Sequence, residues 1–165
     1  MSRGAVVWFT GLPASGKTTL AGALRERRPA AVVLDSDEMR ELLGATSYAA
    51  NARDDFYRKL GSLATMLAQQ GHLVLVAATA PRRAHRDAGR GAARFVEVWV
   101  RADRDVCETR DFKGLYAKAR TGDAPDLPGV GAPYEEPVAA DVIASGGHDR
   151  AALDRIDALL ATHGL

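Results

Sequence analysis

The sequence has little cysteine and no long apolar run, and each shortage excludes a class of protein. Its single cysteine, Cys107, cannot form an intrachain disulfide, so nothing in the sequence indicates an oxidising compartment. No stretch approaches the roughly 18 consecutive apolar residues that span a bilayer. The apolar run at 5–9 is too short for the core of a signal peptide. We therefore expect a cytoplasmic protein with no membrane partner.

Net charge is also small, because 22 lysines and arginines are balanced by 21 aspartates and glutamates, which leaves a formal charge of +1. Without a strong overall field, we expect no nucleic-acid partner. The chain has 165 residues, of which 47% are apolar and 26% are charged. That length and composition are typical of a globular chain with one core, and we predict a single domain spanning 1–165.

Strand-like and helix-like patterns alternate along the chain. Buried strands are predicted by short apolar runs at 5–9, 31–34, 73–77, 95–100 and 141–144. Helices are predicted at 17–28, 38–43, 53–70, 103–110 and 150–160, together with a basic helix that follows 79–83 and ends near 91. This alternation is typical of an α/β fold with a five-stranded parallel sheet covered by helices on both faces. Ligands bind such sheets beyond the carboxyl ends of the strands.

Residues 111–137 break the alternation, because glycine, proline, lysine and aspartate interrupt the periodicity. We interpret this segment as a mobile lid rather than a packed element. It is entered through Arg110-Asp111-Phe112-Lys113-Gly114-Leu115-Tyr116. A lysine and an arginine on a closing lid could neutralise transferring phosphate and exclude water. A loop with ordinary surface charge is the alternative.

A phosphate-binding motif follows the first predicted strand and opens the first predicted helix. Residues 11–18 read Gly-Leu-Pro-Ala-Ser-Gly-Lys-Thr, two glycines flanking four residues and then Lys-Thr. The glycines let backbone N–H groups converge on phosphate oxygens, Lys17 bridges the terminal phosphates, and Thr18 offers its hydroxyl to Mg²⁺. The fold is therefore expected to be a three-layer sandwich of the P-loop NTPase type. ATP binding is assigned to Gly11, Leu12, Pro13, Ala14, Ser15, Gly16, Lys17, Thr18 and Thr19.

The ends of the second and third predicted strands narrow the class of nucleotide-binding protein. The third strand runs into Ala-Thr-Ala at 78–80, without the carboxylate that supports the metal in many hydrolysing relatives, and no Asn-Lys-x-Asp segment is present for guanine. Asp35 and Asp37 instead follow the second strand, where an acceptor hydroxyl would meet the γ-phosphate. One could orient or deprotonate that hydroxyl while the other supports Mg²⁺ through water. Helix capping is the alternative, and the two roles can coexist.

These residue types give a first set of candidate roles. Catalysis is assigned to Lys17, Asp35 and Asp37, and Mg²⁺ binding to Thr18 and Asp35. Arginine suits a multiply charged acceptor because its planar fork donates two parallel hydrogen bonds. The arginines that follow strands two and three are Arg40, Arg53, Arg58, Arg82, Arg83 and Arg86. Solvated helix faces are the alternative explanation for any single one of them.

Together these segments resemble the adenylyl-sulfate kinases, which move the γ-phosphoryl of ATP to the 3′-hydroxyl of adenosine 5′-phosphosulfate (APS) in sulfate assimilation. The likeness covers nearly the whole chain. It rests on Val7-Trp8-Phe9-Thr10 before the phosphate loop, Leu34-Asp35-Ser36-Asp37 with Arg40, Arg53 with Arg58, the segment 106–120, Gly129-Val130 and Pro133-Tyr134-Glu135.

The resemblance implies an Mg²⁺- and ATP-dependent kinase in which Asp37 is the carboxylate nearest the acceptor hydroxyl. It implies that Arg40 and Arg53 hold the phosphosulfate end of the acceptor. Lys113 and Gly114 would lie on the lid near the acceptor, and Arg110 would lie against the ATP base. Homodimers are common in the family, so the resemblance also makes a homodimer possible for this chain.

Departures from the family pattern cluster on the acceptor side. Ser36 replaces the glycine between the two acids, Phe56 replaces an asparagine, and Ala80 replaces a serine. Leu127 stands where the family has a lid aromatic that stacks on the acceptor's adenine. Such stacking contributes about 0.5–1.5 kcal/mol beyond area burial, and Phe56 could supply another ring. We therefore include Phe56 and Leu127 among the acceptor-binding candidates.

Three functions follow from these observations. The first is phosphorylation of APS by direct in-line transfer from ATP. The second is a kinase of the same type acting on another hydroxylated metabolite, which the departures at the acceptor side favour. The third is a nucleotide-binding module without turnover, because a phosphate loop alone does not establish catalysis.

Overall fold

The computed structural model describes residues 4–91, 94–111 and 113–165, so Phe112 of the lid motif lies outside the described residues. The strands are β1 (Ala5–Thr10), β2 (Val32–Asp35), β3 (Leu73–Ala77), β4 (Phe95–Val100) and β5 (Val142–Ala144). The helices are α1 (Lys17–Arg27), α2 (Ser36–Leu43), α3 (Ala50–Gln69), α4 (Arg83–Asp87), α5 (Arg104–Arg110), α6 (Leu115–Arg120) and α7 (Arg150–Thr162).

The five strands form one sheet in the order β2-β3-β1-β4-β5, and every pairing is parallel. β1 lies at the centre, where Val7 pairs with Leu75 on one side and Val96 on the other. All six residues of β1 are buried, as expected for a strand covered on both faces. The predicted α/β fold of the P-loop type is therefore confirmed.

Alternating side chains of β1 enter two different cores, one on each face of the sheet. Val7 and Phe9 pack with Leu20 of α1 and Ile156 of α7. On the opposite face, Trp8 packs with Leu60 of α3 and with neighbouring residues of β3. Because successive side chains of a strand point to opposite faces of the sheet, β1 packs against the helices of both layers.

Several predicted boundaries differ from the observed ones, and three of the differences concern helices near the cavity edge of the sheet or the core. α2 begins at Ser36 rather than 38, because the Asp35 carboxylate accepts a hydrogen bond from the Asp37 backbone N–H and caps the helix. α3 begins at Ala50, three residues before the predicted start. The basic helix ends at Asp87 instead of 91. The chain turns there so that Gly89 can pass close to the Trp8 ring.

The interpretation of the lid as an unpacked element was wrong. Within 111–137 the structure contains α6, and Tyr116 and Leu127 are buried in a third core with Cys107. Leu12 and Ala14 of the phosphate loop pack against this core. Apolar residues spaced irregularly among glycine and proline carry no helical or strand period, which is why the sequence pattern missed their packing.

Across the three described ranges, no helix is both long and apolar enough to cross a membrane. The single domain, the lid boundaries and the cytoplasmic location stay predictions.

Two glycines in helices provide a matched test of the packing. A Cβ at Gly61 of α3 would lie 2.6 Å from the backbone carbon of Ala88, whereas a Cβ at Gly22 of α1 would meet no atom within 4 Å. We expect Gly61→Ala to lower the free energy of unfolding by about 1–3 kcal/mol, because α3 must move away from the chain after α4. Gly22→Ala should raise it by about 0.5–1 kcal/mol through helix propensity. Chemical denaturation of both variants measures the two signs, and equal effects would contradict the packing described.

Candidate active site

A cavity of about 780 Å³ opens at the carboxyl edge of the sheet. Its walls come from the phosphate loop with the start of α1, from the residues after β2, from α3, from the lid and from the loop after β5. Because the strands are parallel, all these loops leave the sheet at the same edge. The cavity is therefore where the fold brings the candidate residues together.

Six of the nine phosphate-loop candidates line the cavity: Pro13, Ala14, Gly16, Lys17, Thr18 and Thr19. Gly11 and Leu12 lie behind it and present their carbonyl oxygens to Lys17. Ser15 is fully buried. Gly16 has a φ of 106°, and a Cβ there would lie 2.4 Å from the Gly147 nitrogen, so the loop after β5 approaches the phosphate loop closely.

Lys17 is a buried cation with no carboxylate partner. Its side chain is 9% exposed, and its Nζ donates to the carbonyl oxygens of Gly11 at 3.0 Å and Leu12 at 2.8 Å. Burial lowers the pKa of Lys17 to about 8. Among the described residues no salt bridge neutralises it, so the site fits an anionic ligand such as the phosphates of a nucleotide.

Thr18 and Asp35 form the pair best suited to a metal. The Thr18 hydroxyl donates to an Asp35 carboxylate oxygen at 2.7 Å, while the other oxygen of Asp35 accepts the Asp37 N–H at 3.0 Å. Asp35 thus caps α2 and faces α1 at the same time. In the part of the chain that the structure describes, no cluster of three metal-binding side chains exists. A Mg²⁺ ion here would take most of its ligands from nucleotide phosphates and water.

Asp37 stands on the exposed side of the cavity and forms an ion pair with Lys113 of the lid. Both side chains are more than half exposed, so the pair is a weak, solvent-screened contact. Gly114 does not line the cavity; it caps α6 with a φ of 64°. The acid and the lysine expected near an acceptor therefore meet, whereas Gly114 has a backbone role.

Arg40 lies between two aromatic rings. Its guanidinium carbon is 4.0 Å from the centre of the Phe56 ring and 4.4 Å from that of Tyr48, and it donates to the Ala45 carbonyl oxygen. Phe56 is only 2% exposed and does not line the cavity. Its ring supports Arg40 from below, so the structure places it away from the position where it could stack on an acceptor.

Arg40 and Arg53 are the two members of the predicted arginine group that line the cavity. Arg53 donates to the Asp126 carbonyl oxygen at 2.8 Å, which fastens the lid to α3. The other four are engaged elsewhere: Arg58 with Asp55, Arg82 with Asp54, Arg83 with Glu135 and Glu136, and Arg86 with the carbonyls of Ala80 and Glu135. Their proximity in sequence to the strand ends was therefore misleading, because their partners lie outside the cavity.

Arg110 and Leu127 both line the cavity. Arg110 lies beside the loop at 146–148, near the phosphate loop. Leu127 is 7% exposed and packs into the core formed with Tyr116 and Cys107. An aliphatic side chain thus occupies the lid position at which a stacking ring was expected.

The sequence reasoning missed several lining residues, among them Tyr48, Tyr57 and His148. Tyr48 and Tyr57 lie in or beside a segment with no distinctive motif, and only the fold brings them to Arg40. His148 had a usable signal. It follows the fifth strand, so its loop had to leave the sheet at the edge that carries the phosphate loop.

The parallel sheet, the phosphate loop and the acids opposite it define the protein as a phosphotransferase of the P-loop kinase class. Residues 3–145 match the adenylylsulphate kinase family, and the chain belongs to that family.

Named relatives agree with this assignment. The chain is 43% identical over 149 residues to the adenylyl-sulfate kinase of Paraburkholderia xenovorans, covering 86% of this chain and 83% of the relative. It is 40% identical over 159 residues to the probable adenylyl-sulfate kinase of Bacillus subtilis, covering 91% and 81%. Among solved structures, the APS kinase of Mycobacterium tuberculosis in complex with AMPPNP and APS is 37% identical, with a TM-score of 0.89 and coverage of 97% and 99%.

The lowered pKa of Lys17 predicts that nucleotide affinity depends on pH. In the nucleotide-free protein the ammonium loses its proton as the pH rises through about 8, whereas bound phosphates favour the protonated form. The dissociation constant for ADP should therefore rise about tenfold between about pH 7 and pH 9. Calorimetric titration measures it, and Lys17→Met should bind weakly with little pH dependence. A wild-type affinity that stays constant over this range would contradict the assignment.

Proposed function

We propose that this protein transfers the γ-phosphoryl group of ATP to the 3′-hydroxyl of APS, forming ADP and the 3′-phosphorylated product. The observation that carries the proposal is that Lys17 and Asp37 line one cavity, the first buried and the second exposed. A buried cation on one side suits the phosphates, and an exposed carboxylate on the other suits an acceptor hydroxyl.

The donor half of the reaction depends on the phosphate loop. The loop amides and Lys17 hold the β- and γ-phosphates, and Arg110 with the loop at 146–148 borders the adenine side. Thr18 and Asp35 would hold Mg²⁺. When bound, the ion would neutralise charge that develops on the phosphates during transfer.

The acceptor half depends on Asp37. An oxygen of the acceptor hydroxyl attacks the γ-phosphorus in line with the bond to the β-phosphate, and that bond breaks to release ADP. Asp37 accepts the hydroxyl proton as the new bond forms. Lys113 leaves its ion pair with Asp37 when the acceptor enters and turns to the transferring phosphoryl group.

The walls of the acceptor pocket combine charge with one exposed ring. Arg40 and Arg53 supply guanidinium groups for the phosphosulfate anion. Tyr48, with 55% of its surface exposed, stacks outside Arg40 and lines the cavity. We assign to Tyr48 the contact with the purine, since Leu127 has no ring and the Phe56 ring is buried.

A kinase for a different hydroxylated anion is the second candidate. It is favoured by the departures from the family pattern on the acceptor side, because Leu127 lines the cavity without a ring and the Phe56 ring is buried. A panel of hydroxylated acceptors at saturating ATP separates the two functions. Preference for an unrelated alcohol by orders of magnitude would establish the second candidate.

Replacing the acceptor-side acid tests the proposed reaction. We expect ATP- and Mg²⁺-dependent formation of the 3′-phosphorylated product by the wild-type protein, and a loss of about 10²- to 10⁴-fold in kcat for Asp37→Asn. ADP affinity should be unchanged, because Asp37 is not placed at the nucleotide. Glu38→Gln, an exposed acid one residue further along α2, is the matched control and should retain activity. Background turnover by the wild type would refute APS as the acceptor.

Truncating the exposed ring tests the acceptor pocket separately. Tyr48→Ala should raise KM for APS about three- to tenfold, the equivalent of about 0.5–1.5 kcal/mol of stacking, and leave KM for ATP unchanged. Tyr48→Phe keeps the ring and should retain the wild-type KM. If both variants raise KM for APS equally, the contact depends on the phenol hydroxyl and not on the ring, and the stacking assignment is wrong.

A further inference from the structure

The lid helix contacts the phosphate loop through a buried tyrosine. Tyr116 of α6 is 1% exposed and packs in the third core with Cys107 and Leu127. Leu12 and Ala14, two residues of the phosphate loop, pack against the same core. The outer side of the loop is therefore covered by the lid, while its inner side lines the cavity.

One hydrogen bond joins the two elements. The Tyr116 hydroxyl donates to the Pro13 carbonyl oxygen at 2.9 Å, and the contact is buried although the residues are 103 positions apart. Burial raises the pKa of Tyr116, so the hydroxyl keeps its proton and acts as the donor. A buried bond of this kind is shielded from competition with water.

The Pro13 carbonyl belongs to the same peptide unit as the Ala14 N–H. No cis peptide bond occurs among the described residues, and in a planar trans unit the C=O and N–H point in opposite directions. The carbonyl points away from the cavity towards Tyr116, so the N–H points towards the cavity that Ala14 lines. No described residue accepts a hydrogen bond from this N–H.

The conformation of Ala14 needs support. Its φ is 63°, in the left-handed region that residues with a Cβ rarely adopt, and nothing in an alanine side chain favours it. The Ser15 N–H donates to the Leu12 carbonyl and closes the turn around Pro13 and Ala14, and the bond from Tyr116 to the Pro13 carbonyl fixes which way the central peptide unit of that turn faces. Without the bond from Tyr116, that central unit can rotate and turn its N–H away from the phosphate side.

We propose that Tyr116 is a positioning residue for the nucleotide: its hydroxyl orients the Pro13–Ala14 peptide unit so that the Ala14 N–H donates to a phosphate oxygen. The inference rests on the proposed use of this loop for ATP. It gives a side chain of the lid a part in phosphate binding, although the Tyr116 side chain itself does not line the cavity.

The test removes the hydroxyl and keeps the ring. Tyr116→Phe should weaken binding of ADP and of inorganic tripolyphosphate by a similar factor of about three to ten, because the lost interaction concerns phosphate and not the base. KM for ATP should rise by the same factor, and KM for APS at saturating ATP should stay unchanged. Calorimetry and steady-state kinetics measure these four quantities.

Tyr134→Phe is the matched control. Its phenol is also hydrogen-bonded, to the Thr10 hydroxyl at 2.9 Å, but it contacts no backbone group of the phosphate loop. We expect a fall in Tm comparable to that of Tyr116→Phe, with ADP and tripolyphosphate affinities unchanged.

The outcomes separate the positioning role from the proposed function. Wild-type affinity for both ligands in Tyr116→Phe, or an equal loss in Tyr134→Phe, would overturn the positioning role. A rise in KM for APS alone would also overturn it, because the tyrosine would then act on the acceptor side. Normal ligand binding by the wild type with no turnover of APS would overturn only the proposed function. Failure of the wild type to bind either ligand would overturn both.

Discussion

The organisation of the site depends on one buried charge, the Lys17 ammonium at the start of α1, for which the described residues supply no carboxylate partner. Two backbone carbonyls solvate it, but no described carboxylate neutralises it, and its lowered pKa reflects the cost of that burial. A protein tolerates such a cation when a ligand brings the compensating charge. The fold places this unsatisfied group where β1 turns into α1, so the affinity for phosphate originates in the turn that also joins two layers of the sandwich.

Asp35 has both a structural role and a role proposed in the chemistry of the site. One carboxylate oxygen ends β2 and starts α2 by capping Asp37, and the other accepts the Thr18 hydroxyl from α1. These two hydrogen bonds of Asp35 therefore fix the position of α2 on the acceptor side relative to α1 on the donor side of the cavity. Asp37, two residues further along and exposed, forms an ion pair with Lys113 and does not cap a helix. The two acids are separated by one residue, and they differ in role because α2 uses Asp35, and not Asp37, as its N-cap.

What the sequence could predict depended on how far apart the interacting residues are. The phosphate loop was recognisable because eight consecutive residues contain its chemistry, and the strands because they are continuous apolar runs. The stacking of Phe56 beneath Arg40 was not predictable, since it depends on how α3 packs against α2. The packed lid was missed for the same reason, because Tyr116 finds its partner 103 residues away. Helix caps, as at Asp35, lie between these cases: the residue type was informative but the boundary was not.

The lid contacts the body of the protein at several points, and three of these contacts show how the donor and acceptor sides differ in character. Tyr116 contacts the phosphate loop, Arg53 contacts the backbone of Asp126, and Tyr134 contacts Thr10 at the end of β1. The first contact is buried, whereas Lys113, which precedes α6, is exposed. A lid built this way keeps its nucleotide face rigid and leaves its acceptor face adjustable. Leu127 lines the cavity and also belongs to the buried core with Tyr116, against which Leu12 and Ala14 pack, so a substitution at this position affects the phosphate-loop side of the lid as well as the pocket.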